Sequence, residues 1–278
     1  MTSPLLSSFE VGDGTPVLAI HGWELNGQFE AFDLEPILST IPGFRRIYVD
    51  LPGHGSTPAG QIQNLDDILS RLVEFIDARL GSEKFLLVGS SCGGALARAV
   101  ALRYSGQVEG LLLRVPAVVM DSEMRDIDAF EPLVRNEALL ASMLEEEKAL
   151  LGDIIIQTPA YLEALRASYP TLLAAIDQSD KERLALIRND KQRYRLSDDL
   201  DRKFHAPTLI VTGRQDTSVG YRDALAILHL YPRATHVVLD RSTHGLPVDS
   251  AERGLFAALV KDWLFRVKEW QESGRGGQ

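Results

Sequence analysis

Cysteine is almost missing from this chain: Cys92 is the only one in 278 residues. That excludes an intrachain disulfide and any cysteine-rich zinc site. No apolar run approaches the ~20 residues that a membrane-spanning helix needs. Residues 1–14, MTSPLLSSFEVGDG, lack both a basic leader and a sustained apolar stretch. No secretory signal is therefore expected, and the cytoplasm is the expected location. Positive charge is scarce as well. The chain has 29 Lys and Arg against 39 Asp and Glu, a net charge of -10. Such a balance opposes nucleic-acid binding and gives no attraction to anionic membranes. The six histidines form no metal-binding sequence motif, and no metal or organic cofactor is expected. What is present, 45% hydrophobic and 24% charged residues, suits one large α/β domain or a core carrying an inserted subdomain.

Apolar patterning divides the chain into three regions. From Val17 to about Pro116, the runs VLAIHG, RIYVDLPG, FLLVGSS and VEGLLLRV each read as a buried strand entering a loop. Between them, LDDILSRLVEFIDARLG has helical spacing and ends at Gly81. Alternating strands and helices predict parallel pairing, with helices on both faces of the sheet. The alternation breaks between about Val118 and His205, where NEALLASMLEEEKALLG, PAYLEALRASY and DKERLALIRNDKQRY read as helices. Core patterning returns with PTLIVTG, DALAILHLY, THVVLD and the long amphipathic AERGLFAALVKDWLFRVKEW. The expected organisation is core over 1–117, a helical cap over 118–205, core again over 206–270, and a flexible tail over 271–278.

The strongest chemical signal is Gly89-Ser90-Ser91-Cys92-Gly93-Gly94, directly after FLLV. The G-x-S-x-G register selects Ser91 as the nucleophile. Small residues two before and two after it let strand and helix approach across a sharp turn. Serine needs a base to remove its proton, and His244 stands just beyond the last expected core strand. An orienting carboxylate for that base is found in Asp216, at another strand end. Turn or surface roles are the plain alternatives for both residues. The chain order Ser91, Asp216, His244 favours catalysis.

With these motifs the sequence resembles capped serine hydrolases of the α/β-hydrolase superfamily. The resemblance spans nearly the whole chain and is weakest through the cap. It includes His21-Gly22-Trp23, Asp50-Leu51-Pro52-Gly53-His54-Gly55, the GSSCGG elbow, the GRQD loop and the STHG loop. It implies an α/β-hydrolase fold with a central, mostly parallel sheet and an inserted helical cap. By the same resemblance, the backbone N–H groups of Trp23 and Cys92 form the oxyanion hole. His21 and His54 are expected to organise backbone, and Cys92 to be a buried small hydrophobe.

The expected reaction is hydrolysis of a small carboxylic ester through an acyl-enzyme on Ser91, with a small carbonyl-containing substrate as the partner. The family commonly places asparagine before the serine in carbon–carbon hydrolases of vinylogous diketones. Ser90 stands there instead, so esters are preferred and those hydrolases are the alternative. Cofactor-independent dioxygenases and a hydrolase-derived ligand receptor are further alternatives. Arg188, Arg193 and Arg195 could bind a carboxylate from the cap, but each is expected to face solvent. The oligomeric state is not expressed in the pattern.

Overall fold

A computed structural model describes residues 5–152 and 154–274. The strands are β1 (Ser8–Val11), β2 (Thr15–Ile20), β3 (Phe44–Val49), β4 (Phe85–Ser90), β5 (Val108–Arg114), β6 (Thr208–Gly213) and β7 (Ala234–Leu239). They form one sheet in the order β1-β3-β2-β4-β5-β6-β7. All neighbours pair in parallel except β1, which runs antiparallel to β3. Every residue of β4, β5 and β6 is buried. Strands covered on both faces read as continuous apolar runs, and these do. Strand β1 was not foreseen: its SFEV sequence is half exposed at the sheet edge, with too few apolar residues to stand out.

Helix α1 (Gly27–Leu38) starts where the Asn26 side chain accepts from the Phe29 N–H, and α2 (Leu65–Arg79) where Asn64 accepts from Asp67. Both are N-caps that satisfy an otherwise free amide. Helix α3 (Cys92–Arg103) begins at the elbow with no side-chain cap. Among the described residues its first amide, that of Cys92, donates to no other group, which matters for the site.

Between β5 and β6 lies the helical insertion: α4 (Glu137–Ala141), α5 (Glu145–Leu151), α6 (Pro159–Asp177) and α7 (Lys181–Arg188). The expected single helix over NEALLASMLEEEKALLG is two short ones, α4 and α5, separated at Ser142–Leu144. Helix α6 runs through Pro170 instead of stopping there. The insertion has its own small core, with Met143, Ile154, Ile155, Ile156, Tyr161 and Leu162 closing on Val248. After β6 come α8 (Arg222–Ala226) and, after β7, α9 (Ser250–Glu272).

Helices α2 and α3 cover one sheet face, while α1 and α9 cover the other. Trp263 and Phe256 of α9 are fully buried, each contributing about 1.5–3 kcal/mol relative to exposure. Helix α9 extends two residues into the expected tail, and residues 275–278 lie outside those described. The result is a capped α/β-hydrolase fold. Among the described residues, no helix is long and apolar enough to cross a membrane.

Candidate active site

The turn from β4 to α3 holds Ser91 at φ 54°, ψ -120°, a region that L side chains rarely adopt. Neighbouring residues over-determine it. The Ser91 N–H donates to the Arg114 carbonyl at 3.0 Å, and the Ser91 carbonyl accepts from Gly94 and Ala117, each at 2.9 Å. A Cβ on Gly89 would lie 2.5 Å from the Gly93 carbonyl oxygen, and one on Gly93 would strike the carbonyls of Ile20 and His21. Glycine at both positions is what permits the crossing.

His244 and Asp216 reach Ser91 from the C-terminal ends of β7 and β6. His244 Nε2 is 2.9 Å from Ser91 Oγ, and His244 Nδ1 is 2.9 Å from Asp216 Oδ2. With the carboxylate accepting, Nδ1 carries the hydrogen and Nε2 is free to accept from the serine hydroxyl. The other carboxylate oxygen accepts from the N–H groups of Ser218 at 2.8 Å and Val219 at 3.0 Å. Burial alone would raise the Asp216 pKa. The His244 charge and hydrogen bond, with those two amides, hold it below the usual carboxylate range. Gly213 lets the two loops meet, since a Cβ there would strike the Ser242 carbonyl.

The other histidines of the resembling motifs are buried and neutral. Leu51 N–H donates to His21 Nε2 at 3.0 Å, so Nδ1 is the donor to the Gly22 carbonyl at 2.7 Å. Burial lowers the pKa of His21 to about 4 and, with the His21 charge added, that of His54 to about 3. Burial also pushes the Cys92 thiol up to about 11, leaving an unreactive thiol.

Ser91 opens onto a cavity of about 300 Å³, lined also by Trp23, Ala117, Arg125, Arg188 and Tyr194. A larger lobe of about 510 Å³ is lined by Phe29, Phe130, Tyr161, Leu165 and Val248. Leu25, Leu172, Ser218 and His244 border both, so His244 stands where the lobes join. Helices α6 and α7 therefore roof the site. The Trp23 ring meets Tyr194 edge-on at 4.9 Å, and the Arg188 guanidinium lies 4.3 Å over the Tyr194 ring.

Arg188 thus lines the site, contrary to the expectation that it faces solvent. Arg195 is exposed, and Arg193 pairs with Asp190 at 3.1 Å. Arg125, which no motif marked, donates to the carbonyls of Val119, Met120 and Ser218. Among the described residues, neither Arg125 nor Arg188 pairs with a carboxylate. Burial, and then the Arg188 charge, lower the Arg125 pKa. Two cations therefore line one small cavity.

Comparison with known proteins matches this architecture. The family described as alpha/beta hydrolase fold matches residues 15–251. The chain belongs to that family. Within it, the Ser91, His244 and Asp216 arrangement is that of a serine hydrolase. An alpha/beta superfamily hydrolase from Oenococcus oeni PSU-1 superposes on this alpha/beta hydrolase with a TM-score of 0.83 at 25% identity, covering 96% of this chain and 100% of that one. A 2-hydroxy-6-oxo-2,4-heptadienoate hydrolase of Pseudomonas putida is 27% identical, covering 92% of this chain and 91% of that protein. A 2-hydroxy-6-oxo-6-(2'-aminophenyl)hexa-2,4-dienoic acid hydrolase of Metapseudomonas resinovorans is also 27% identical, covering 92% and 86%.

These relatives overturn the expectation of simple ester hydrolysis for this alpha/beta hydrolase. The clue behind that expectation also fails physically. Ser90 Oγ donates to Glu30 Oε1 at 2.6 Å and accepts from Arg114 Nε at 2.8 Å. It is buried beneath the elbow in a polar network, so its identity does not report on the substrate.

Proposed function

We propose that the protein hydrolyses a carbon–carbon bond in a 2-hydroxy-6-oxo-dienoate, a vinylogous diketone bearing a carboxylate. Compounds named in this way contain no ester or amide linkage, so their hydrolysis breaks a carbon–carbon bond beside the ketone. The observation that carries the reading is the pair Arg125 and Arg188, which line the Ser91 cavity without a carboxylate partner among the described residues. They supply the charge-assisted contacts for the substrate carboxylate. The larger lobe, with Phe29, Phe130 and Tyr161 on its wall, receives the group attached to the ketone.

In this reading the dienol first ketonises, losing its 2-hydroxyl proton and gaining one at C5. His244 takes the proton of Ser91, whose Oγ adds to the C6 carbonyl. Asp216 stabilises the imidazolium. The N–H groups of Trp23 and Cys92 hold the resulting oxyanion. Neither amide donates to another group among the described residues, which leaves both open for that role. The C5–C6 bond then breaks. Its electron pair delocalises into the conjugated C2 carbonyl, and protonation there releases 2-hydroxypenta-2,4-dienoate. Water activated by His244 hydrolyses the acyl-Ser91 ester and frees the carboxylic acid.

The test is to supply 2-hydroxy-6-oxo-dienoates with alkyl and aryl groups at C6 and follow the dienol absorbance and both products. One equivalent of acid should form per equivalent of 2-hydroxypenta-2,4-dienoate, and Ser91→Ala should abolish both. Failure to turn over any member of the series would overturn the reading.

A further inference from the structure

Beneath the elbow lies a buried charged cluster outside the reacting groups. Arg114 ends β5 and is 4% exposed, while Glu30 and Asp33 of α1 are 0% and 6% exposed. The Arg114 side chain donates in four directions. Nε reaches Ser90 Oγ at 2.8 Å, Nη2 reaches Glu30 Oε2 at 2.8 Å, and Nη1 reaches both Asp33 Oδ2 and the Leu246 carbonyl, the latter at 3.1 Å. Arg253 of α9 closes the far side, donating to Asp33 Oδ1 at 3.1 Å and to the Val248 carbonyl at 3.2 Å.

The endpoints of this network are informative. Ser90 immediately precedes the proposed nucleophile, and Leu246 lies two residues beyond the proposed base. Their parent strands, β4 and β7, do not touch in the sheet, because β5 and β6 lie between them. Arg114 bridges that gap with its side chain, while its backbone carbonyl accepts from Ser91 N–H. Apolar packing generally stabilises a core at least as well as a buried ion cluster does, and it would not tie these two loops together. Strain is concentrated here too, with Ser91 at φ 54° and Val115, next to Arg114, at φ 41°. Such backbone persists only where the surroundings over-determine it.

We infer that Arg114 is a positioning residue that locks the nucleophile elbow to the base loop and so sets the Ser91–His244 distance. Glu30 and Asp33 fix the orientation of its guanidinium fork. Lysine, with one compact ammonium, cannot span the same four acceptors. The inference rests on the proposed Ser91–His244 pair but not on the diketone substrate.

The experiment measures fluorophosphonate inactivation of the full chain, separating the inactivation constant KI from the maximal rate kinact. Circular dichroism and thermal unfolding report the folded fraction. In Arg114→Lys, kinact should fall about 100-fold with KI unchanged, the scale of a misplaced reacting group. Ser90→Ala, which keeps Arg114 but removes the hydroxyl that links it and Glu30 to the elbow, should lower kinact about tenfold. Arg114→Met should fall below Arg114→Lys, or fail to fold. Wild-type kinact in folded Arg114→Lys and Ser90→Ala would overturn the inference, as would losses that merely track the unfolded fraction. Ser91→Ala is the control for the pair itself. If labelling persists there, the nucleophile assignment fails, whatever Arg114 does.

Discussion

Arginine does opposite things in the two halves of this molecule. In the core, Arg114 is buried against Glu30 and Asp33, with its nitrogens engaged on all sides. In the insertion, Arg188 lies on the ring of Tyr194 and, among the described residues, Arg125 holds only carbonyl oxygens. A guanidinium whose charge is matched inside the fold fixes geometry. One whose charge is unmatched at a cavity attracts an anion from outside. On this view the core arranges the chemistry and the insertion selects the molecule.

Four perturbations test that division. Ser91→Ala strikes the core and should reduce kcat at least 10⁴-fold while the fold persists; near-normal turnover would transfer the chemistry elsewhere. The core should also be the part that fails in mild acid. His54 is held neutral in the folded protein, with a pKa of about 3, and takes up its proton near ~6.5 once unfolded. Between those values the unfolded state binds more protons, so stability falls as pH falls. Denaturant unfolding of the wild type should lose about 2 kcal/mol more between pH 7 and pH 5 than His54→Gln does. Equal pH slopes would remove His54 as the cause. Asp216 has the opposite chemistry, with its folded pKa depressed. Its contribution is intact in this window and is lost only below the ordinary carboxylate pKa.

In the insertion, Arg188→Ala should lower kcat/KM for carboxylated diketones by roughly 10–100-fold and leave fluorophosphonate labelling of Ser91 unchanged. If labelling falls equally, Arg188 belongs with the machinery and not with recognition. The smallest effect is expected from Leu172→Ala, at the border of the two lobes. It should change the preference between small and large C6 substituents by about tenfold, read as a ratio of kcat/KM values. An unchanged ratio would mean that α6 only covers the site.

The same division governs what could be read from the sequence. The sheet was legible because β4, β5 and β6 are buried on both faces and therefore continuously apolar. Ser91 and Asp216 were legible because each follows such a strand, and His244 because it follows β7, half-buried yet still apolar in its VVL run. Strand β1 escaped notice because an edge strand needs few apolar residues. The insertion was readable as helices, but helical spacing does not say which cavity an end residue meets. Arg188 closes α7 at the site while Arg195, seven residues later, is exposed. Arg125 lies in irregular backbone and has no periodicity to betray it. A signal for the buried cluster did exist: an arginine ending the apolar run VEGLLLR, with Glu30 and Asp33 one helical turn apart on α1. A charge inside a fully buried strand requires countercharges nearby.

The uncapped start of α3 has an evolutionary consequence. Ser91 occupies a helix boundary without contributing a cap, in backbone that glycine would adopt with less strain. Ser91→Gly should therefore be tolerated or even stabilising, by about 1 kcal/mol, while destroying the nucleophile. Selection for thermal robustness alone would drift toward that dead variant. The serine persists only where its chemistry is under selection, so thermostable descendants of this chain should be screened for turnover before they are ranked by melting temperature.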